Sequence, residues 1–413
     1  MCTAKWPHPK AGCCELHVAW RTLSFGDPHL AALLTALTSL LSYSSIDRNP
    51  RTAVQGSAYS MDQNQGPGHA AGQDRSRILA RKEEKDKFQL QISGNLFIKQ
   101  FLELLTRWQP AENIRKQYME KVLHTVFFFG RLNQRQMRPN EFLDSQSFQR
   151  LQEKYPRSFQ EYDTHLPSLT PYSILLQFGN EVAGCSTQEE MESFLHEFNS
   201  AVQITIEHRV PILKPNEFIF RATVVTYSFY REPRKPKNEA GFPLFYGASL
   251  SCKGLMEKKI MISILCLKIW HRAVAFAVYH GQDNLAIVFP DGVQCQAFRY
   301  SNGTFIEKPP CVNCRMMYHV DFQPYEGDTR ENVPWLRGNC AENESLSKLL
   351  QGVLGLQERV VSTDTSMINN SPQNTYQAIE EEFENNIEPN LRDQLIRLLQ
   401  HKNFPHHLQF FEP

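Results

Sequence analysis

Two short strings in the C-terminal third of the chain carry side chains that can do chemistry. Residues 310–314 are Pro-Cys-Val-Asn-Cys, and residues 338–342 are Gly-Asn-Cys-Ala-Glu. Thiolates are common zinc ligands, and a glutamate beside a zinc-activated water can accept its proton. Cys311, Cys314 and Cys340 are therefore candidate metal ligands, and Glu342 is the candidate catalytic residue.

Both strings predict the start of a helix. Pro310 suits a first helical turn, where a backbone N–H is not needed, so Cys311 and Cys314 are expected near a helix N-terminus. A helix N-terminus favours a thiolate over a thiol. In the second string, we expect Asn339 to cap the helix that Cys340 opens.

Glu342 is expected to point into the protein. It lies four residues before the first member of an apolar stripe, Leu346, Leu349, Leu350 and Val353. A buried carboxylate must be paired, lie near a metal, or be protonated with a raised pKa. Such a group can shuttle protons beside a metal site. The alternative is that Glu342 only stabilises the first helical turn, where acidic residues are favourable.

A second hypothesis for the metal uses His319. The spacing Cys311-x2-Cys314-x4-His319 reproduces the first three ligands of a zinc knuckle, but the position expected for the fourth ligand is Pro324. Cys340 could complete a Cys3His set from farther along the chain. Such a site would be structural, with no open position for water.

The strings resemble those of the zinc-dependent cytidine and nucleic-acid deaminases. Residues 340–342 resemble their ligand-x-Glu string, and residues 310–314 resemble their Pro-Cys-x-x-Cys string. The resemblance implies that Cys311, Cys314 and Cys340 hold zinc and that Glu342 relays protons. In those enzymes the ligand-x-Glu helix comes first, whereas here it comes second. A rearranged sheet would have to bring both helix ends to one metal.

Composition gives the class of protein. Lys and Arg total 44, as do Asp and Glu, so the formal net charge is zero and general attraction to nucleic acid or membrane is not implied. The ten cysteines lack the spacing of a secreted disulfide scaffold, which favours a cytoplasmic or nuclear protein. The apolar run 260–278 is interrupted by Lys268, His271 and Arg272, so we expect one buried helix there and no membrane span.

The pattern along the chain predicts three regions. Residues 1–76 are rich in polar residues and are expected to be a disordered leader. Residues 77–240 show mostly helical spacing, with a strand at 217–230. Residues 241–413 alternate strand and helix patterns and carry the candidate site. The predicted fold class is α+β or α/β, with a helical N-terminal region followed by a small sheet flanked by helices.

Two functions follow from these observations. The first is a zinc-dependent, deaminase-like hydrolase acting on a nucleobase, a nucleoside or nucleic acid. The second is a non-catalytic interaction protein with a structural zinc site or no metal. No P-loop or dinucleotide-binding glycine string occurs in the chain, so those nucleotide-binding loops are not predicted.

Overall fold

The structure is a computed structural model, and it describes most of the chain after residue 67. The described ranges are 68–210, 213–232, 242–281, 283, 285–301, 303–324, 333–364, 367, 375–405 and 407–413, with side chains from residue 77. The predicted disordered leader, 1–76, therefore lies outside the described residues except for the backbone of 68–76. Residues 65–413 form one compact unit.

Thirteen α-helices are present in the described ranges. They are α1 (Gly68–Trp108), α2 (Glu112–Leu132), α3 (Pro139–Phe142), α4 (Ser145–Lys154), α5 (Pro156–Gln160), α6 (Pro171–Glu181), α7 (Gln188–Arg209), α8 (Leu255–Lys268), α9 (Arg272–His280), α10 (Val312–Met317), α11 (Ala341–Gly352), α12 (Thr375–Glu382) and α13 (Glu388–His401). None of the helices described here combines the length and apolar character needed to cross a membrane.

Local sequence signals explain several of these boundaries. Thr187 caps α7 by accepting a hydrogen bond from the N–H of Glu190, whose carboxylate accepts one in return from the N–H of Thr187. This reciprocal pair is a capping box, and it satisfies N–H groups that the helix cannot pair internally. Tyr118, Val122 and Val126 recur at every fourth position of α2, which places them on one face of the helix, and all three are buried.

The single helix predicted over 260–278 is wrong. The chain forms two helices there, α8 and α9, which are separated at residues 269–271. His271 begins the second helix by accepting a hydrogen bond from the N–H of Ala273, at 3.3 Å from its Nδ1. Both helices are buried on most of their surface, so the run is apolar almost throughout. A run without a polar face has no periodic pattern that could show where one helix ends and the next begins.

Within the part of the chain that the structure describes, ten strands form three sheets. They are β1 (His165–Leu166), β2 (Val224–Tyr230), β3 (Phe245–Ala248), β4 (Ile287–Val288), β5 (Val293–Ser301), β6 (Thr304–Glu307), β7 (Tyr318–His319), β8 (Asp321–Gln323), β9 (Val361–Ser362) and β10 (Gln409–Phe410). The main sheet has the order β3-β2-β5-β6, and β8 pairs in parallel with β5. A smaller sheet has the order β7-β4-β9, and β1 pairs with β10. Only Val320 separates β7 from β8, so one stretch of chain contributes to two sheets.

The fold is of the α+β class, as predicted from the sequence. The sheet and the helical region are continuous, because β2 comes from the region predicted over 77–240 and pairs with β3 and β5 from 241–413. Helix α6 also packs against β3. The predicted boundary near residue 240 therefore falls between paired strands, within the compact unit.

Helix α11 packs on β2 and β3 at a point where only glycine fits. A Cβ atom at Gly247 would lie 2.6 Å from the backbone nitrogen of Ser345 and closer still to the carbonyl oxygen of Ala341. Both neighbours are backbone atoms of α11, which cannot rotate away as a side chain can. This close approach holds the beginning of α11, with Cys340 and Glu342, against the sheet.

Replacing Gly247 by alanine should lower the free energy of unfolding by about 3 kcal/mol, the upper end of the usual cost of overpacking. The measurement is denaturant unfolding of the purified chain. Gly355→Ala is the control, because no atom lies within 4 Å of a Cβ there although φ is +74°. It should cost only about 1–2 kcal/mol, the ordinary strain of a left-handed alanine. If both substitutions lower the free energy of unfolding equally, α11 does not pack as closely against Gly247 as described.

Candidate metal centre

The two predicted strings lie at the beginnings of two helices. Cys311 is the residue immediately before α10, and Cys340 is the residue immediately before α11. Pro310 therefore lies two positions before the first residue of the helix rather than in its first turn. The residue types and the approximate helix starts agree with the expectation from the sequence.

The predicted cap by Asn339 is wrong. The capping position of α11 belongs to Cys340, and the Oδ1 atom of Asn339 is buried without a hydrogen-bond partner. No side chain in the described part of the chain caps the first N–H groups of α11, and the nearest side-chain contact is of another kind: the Nδ2 atom of Asn343 donates to the carbonyl oxygen of Cys340 at 2.7 Å. Its Oδ1 atom accepts a hydrogen bond from the hydroxyl of Tyr318 at 2.6 Å. Asn343 thus ties the Cys340 backbone to β7.

The three thiols converge. The Sγ atom of Cys311 lies 3.7 Å from that of Cys314 and 3.5 Å from that of Cys340. All three Sγ atoms lie within 4.8 Å of one another. Tetrahedral zinc with Zn–S bonds of about 2.3 Å separates its sulfur ligands by about 3.8 Å. The three cysteines could therefore bind a metal ion with little rearrangement.

The other described cysteines take no part in this cluster. Cys185, Cys252, Cys266 and Cys295 are buried as free thiols. Burial raises the pKa of the Cys185 thiol to about 11 and that of the Cys252 thiol to about 12. These four behave as small apolar residues, as the sequence predicts for Cys266.

One thiolate is favoured within the cluster even without a metal. Hydrogen bonds with the thiols of Cys314 and Cys340 lower the pKa of Cys311, and the side chain of Trp335 adds a further hydrogen bond. The hydrogen bond with Cys311 raises the pKa of Cys314 well above its ordinary value. A cation at the centre would favour the deprotonated form of all three thiols, because coordination deprotonates a thiol.

Glu342 is buried beside the thiols, with 4% of its surface exposed. Burial is the main cause that raises the pKa of its carboxyl group to about 7, and the nearby charge of Cys311 raises it further. A hydrogen bond with the thiol of Cys314 acts in the opposite direction. The carboxylate of Glu342 therefore contacts the thiols. Among the described residues, the atoms that lie close enough together to share one metal ion here are the three sulfurs.

A second buried carboxylate on α11, Glu344, was not singled out by the sequence. It accepts hydrogen bonds from the Ser173 hydroxyl at 2.8 Å and from the Ala248 N–H at 3.1 Å. Lys348 also forms an ion pair with it at 2.6 Å. These contacts join α11 to α6 and β3, so Glu344 has a structural role. The sequence offers one signal for this structural role. Glu344 and Lys348 are four residues apart, so their side chains are neighbours on one face of the helix.

Ser345, the next residue of α11, contacts a cluster of hydroxyl groups on the main sheet. The Oγ atom of Ser345 lies 2.9 Å from the Oγ1 atom of Thr226 and 2.9 Å from the Oγ atom of Ser228, both on β2. Buried polar groups need such partners, since an unpaired one costs about 1–3 kcal/mol. The first two turns of α11 are therefore buried on all sides although their sequence is largely polar.

Two histidines outside the strings, His319 and His280, do not join the thiols. His319 is exposed on β7 and is not part of the group of close ligand atoms. His280 ends α9 and lies 3.4 Å from the carboxylate of Glu382. The structure thus brings together Cys311, Cys314, Cys340 and Glu342, and it leaves His319 outside.

A cavity of about 920 Å³ lies next to the cluster. Its wall includes Val312 and Asn313, which stand between the first two cysteines, and Trp335. Lys259 and Arg337 bring positive charge to the same wall. Among the described residues, neither the three thiols nor Glu342 lines this cavity. The first turn of α10 therefore separates it from the sulfur atoms.

No protein-family model, curated protein or solved structure matches this chain. The function of the site must therefore be inferred from its own residues and geometry.

Proposed function

We propose that the protein is a zinc-dependent hydrolase of deaminase type that acts on an amino-substituted nucleobase, free or within a nucleoside or nucleic acid. The observation that carries the proposal is the convergence of Cys311, Cys314 and Cys340 beside the buried Glu342. The reversed order of the two strings does not prevent one site, because both helices begin at the same sulfur cluster. Three thiolate ligands leave the fourth position of a tetrahedral zinc open.

The proposed reaction replaces an exocyclic amino group by oxygen. When bound, zinc lowers the pKa of a coordinated water to ~7 and thereby supplies a nucleophile at neutral pH. Glu342 accepts a proton from the attacking water and delivers it to the departing amino group. Water and the amino-substituted base are consumed, and ammonia and the corresponding carbonyl compound are formed. In the metal-free protein burial raises the pKa of this carboxyl group to about 7, and a buried carboxyl group beside the metal can both accept and return a proton.

A structural metal site is the competing function. Burial of the cluster favours it, because Cys314 is fully buried. A closed structural site requires a fourth protein ligand. The exposed position of His319 makes that residue a poor candidate, and Glu342 is the nearer group. In this case the protein would be a non-catalytic interaction protein.

Ammonia release tests the two functions directly. We expect the zinc-loaded chain to release ammonia from at least one compound in a panel of cytosine, adenine and guanine bases, their nucleosides and short oligonucleotides. Removal of the metal with a chelator should abolish the release, and restoring zinc should return it. One tightly bound zinc per chain with no ammonia from any compound would support the structural function instead.

A further inference from the structure

A basic groove lies on another part of the surface, away from the cavity described above. It has a volume of about 580 Å³. Its charged lining residues are Lys82, Lys85, Arg221, Lys253, Lys258, Asp86 and Glu217. Five cationic side chains therefore face two carboxylates, in a chain whose formal net charge is zero.

Both carboxylates in the groove are already paired. Glu217 forms an ion pair with Lys85 at 2.8 Å, and Asp86 forms one with Lys253. Neither Lys82 nor Lys258 has an ion-pair partner among the described residues. The groove thus has positive charge that the protein itself does not neutralise, and it suits a polyanionic ligand.

The floor of the groove adjoins the loop that carries Cys340. Leu250 lines the groove, and its N–H donates a hydrogen bond to the carbonyl oxygen of Asn339 at 3.0 Å. Asn339 immediately precedes Cys340. Thr223 also lines the groove, and its N–H donates to the hydroxyl of Ser249 at the end of β3. The groove and the metal centre therefore share one end of the main sheet.

We propose that this basic groove binds the phosphodiester backbone of a single-stranded nucleic acid. The choice of partner depends on the proposed function, because a deaminase can act on a base only when it is out of a stacked duplex. The lysines would contact phosphates, which adds affinity with little sequence preference. Among the described residues that line the groove none is an exposed aromatic, so the proposed contacts are to phosphates rather than to bases. The groove would then bring a strand towards the loop of Cys340.

Fluorescence anisotropy with the full-length chain and a labelled oligothymidylate of about 16 nucleotides tests the proposal, since a single-strand site spans about 4–16 nucleotides. Thymine has no exocyclic amino group, so the proposed enzyme cannot consume the probe. We expect Lys82→Glu combined with Lys258→Glu to weaken binding at least about 10-fold. The slope of log K against log salt should decrease by about 1.4, or about 0.7 for each lost phosphate contact.

The matched control is Arg150→Glu combined with Arg397→Glu. It makes the same change in net charge at two exposed residues that do not line the groove. This control should bind with the wild-type salt slope. Equal weakening in the two double variants, or no binding of the wild-type chain at low salt, would overturn the proposal. Unfolding curves of both double variants establish that each is folded before binding is compared.

A further pair of measurements separates this proposal from the proposed function. Glu342→Gln and Cys340→Ser should bind oligothymidylate like the wild-type chain, because neither residue lines the groove. Loss of deaminase activity with retained, groove-dependent binding would therefore leave the proposal intact. Binding to phosphatidylserine vesicles instead of the oligonucleotide would refute it. The exposed Ile78 and Leu79, one turn before Lys82, are the residues that a membrane would contact.

Discussion

Replacing Cys340 by serine should remove a stoichiometric metal ion from the protein. We expect the wild-type chain, purified under reducing conditions, to contain one zinc and the Cys340→Ser variant to contain none. Cys340 lies 3.5 Å from Cys311 and is the only ligand contributed by the second string. A serine hydroxyl is a poor ligand for zinc, and two remaining thiolates from a short helix hold it weakly. Native mass spectrometry measures the stoichiometry directly.

The control for this experiment is Cys185→Ser. Cys185 is a buried free thiol outside the cluster, so its replacement makes the same chemical change away from the metal centre. We expect that variant to retain one zinc. A wild-type chain that carries no zinc, or a Cys340→Ser variant that carries as much as wild type, would separate the two strings and remove the basis for one site.

Replacing Glu342 by glutamine should abolish turnover while leaving metal content and folding unchanged. General acid–base catalysis contributes about 10²–10⁴-fold, so kcat should decrease by about that factor. Glutamine has nearly the same shape as glutamate but cannot accept and return a proton. The measurement combines ammonia release with zinc stoichiometry and denaturant unfolding on the same preparation.

The matched variant is Glu344→Gln, two residues along the same buried helix. Its carboxylate bonds to Ser173, Ala248 and Lys348, so we expect a loss of roughly 1–3 kcal/mol of stability. Its turnover, measured where the variant is fully folded, should stay near the wild-type value. A reversed result, with activity lost at Glu344 and retained at Glu342, would refute the proton-relay role of Glu342.

Some features of the site can be predicted from short stretches of sequence. The residue types of both strings, their places near helix starts and the burial of Glu342 all follow from short-range patterns. The convergence of Cys311 and Cys340 was expected only from the resemblance and from ligand counting, because local patterns do not show how the beginnings of α10 and α11 come together in the fold. The hypothesis that His319 completes the site came from spacing alone, and spacing does not reveal that β7 leaves that side chain exposed.

Other parts of the fold leave little signal in the sequence. Strands β7 and β9 have two residues each, too few to produce an alternating pattern. The first two turns of α11 are buried on all sides, and polar residues there bond to Thr226, Ser228 and Lys348. An amphipathic pattern predicts only one buried face. The role of Glu344 was therefore hidden among residues that resemble an exposed surface.

A metal ion held by both strings would also restrict the unfolded chain, because its ligands lie far apart in the sequence. Cys311 and Cys340 are 29 residues apart. An ion held by both would act as a reversible crosslink and close a loop that contains α10, β7 and β8. For a covalent crosslink, the lost chain entropy of a loop this long corresponds to roughly 3–4 kcal/mol. Binding of the metal would then raise the free energy of unfolding of this part of the chain.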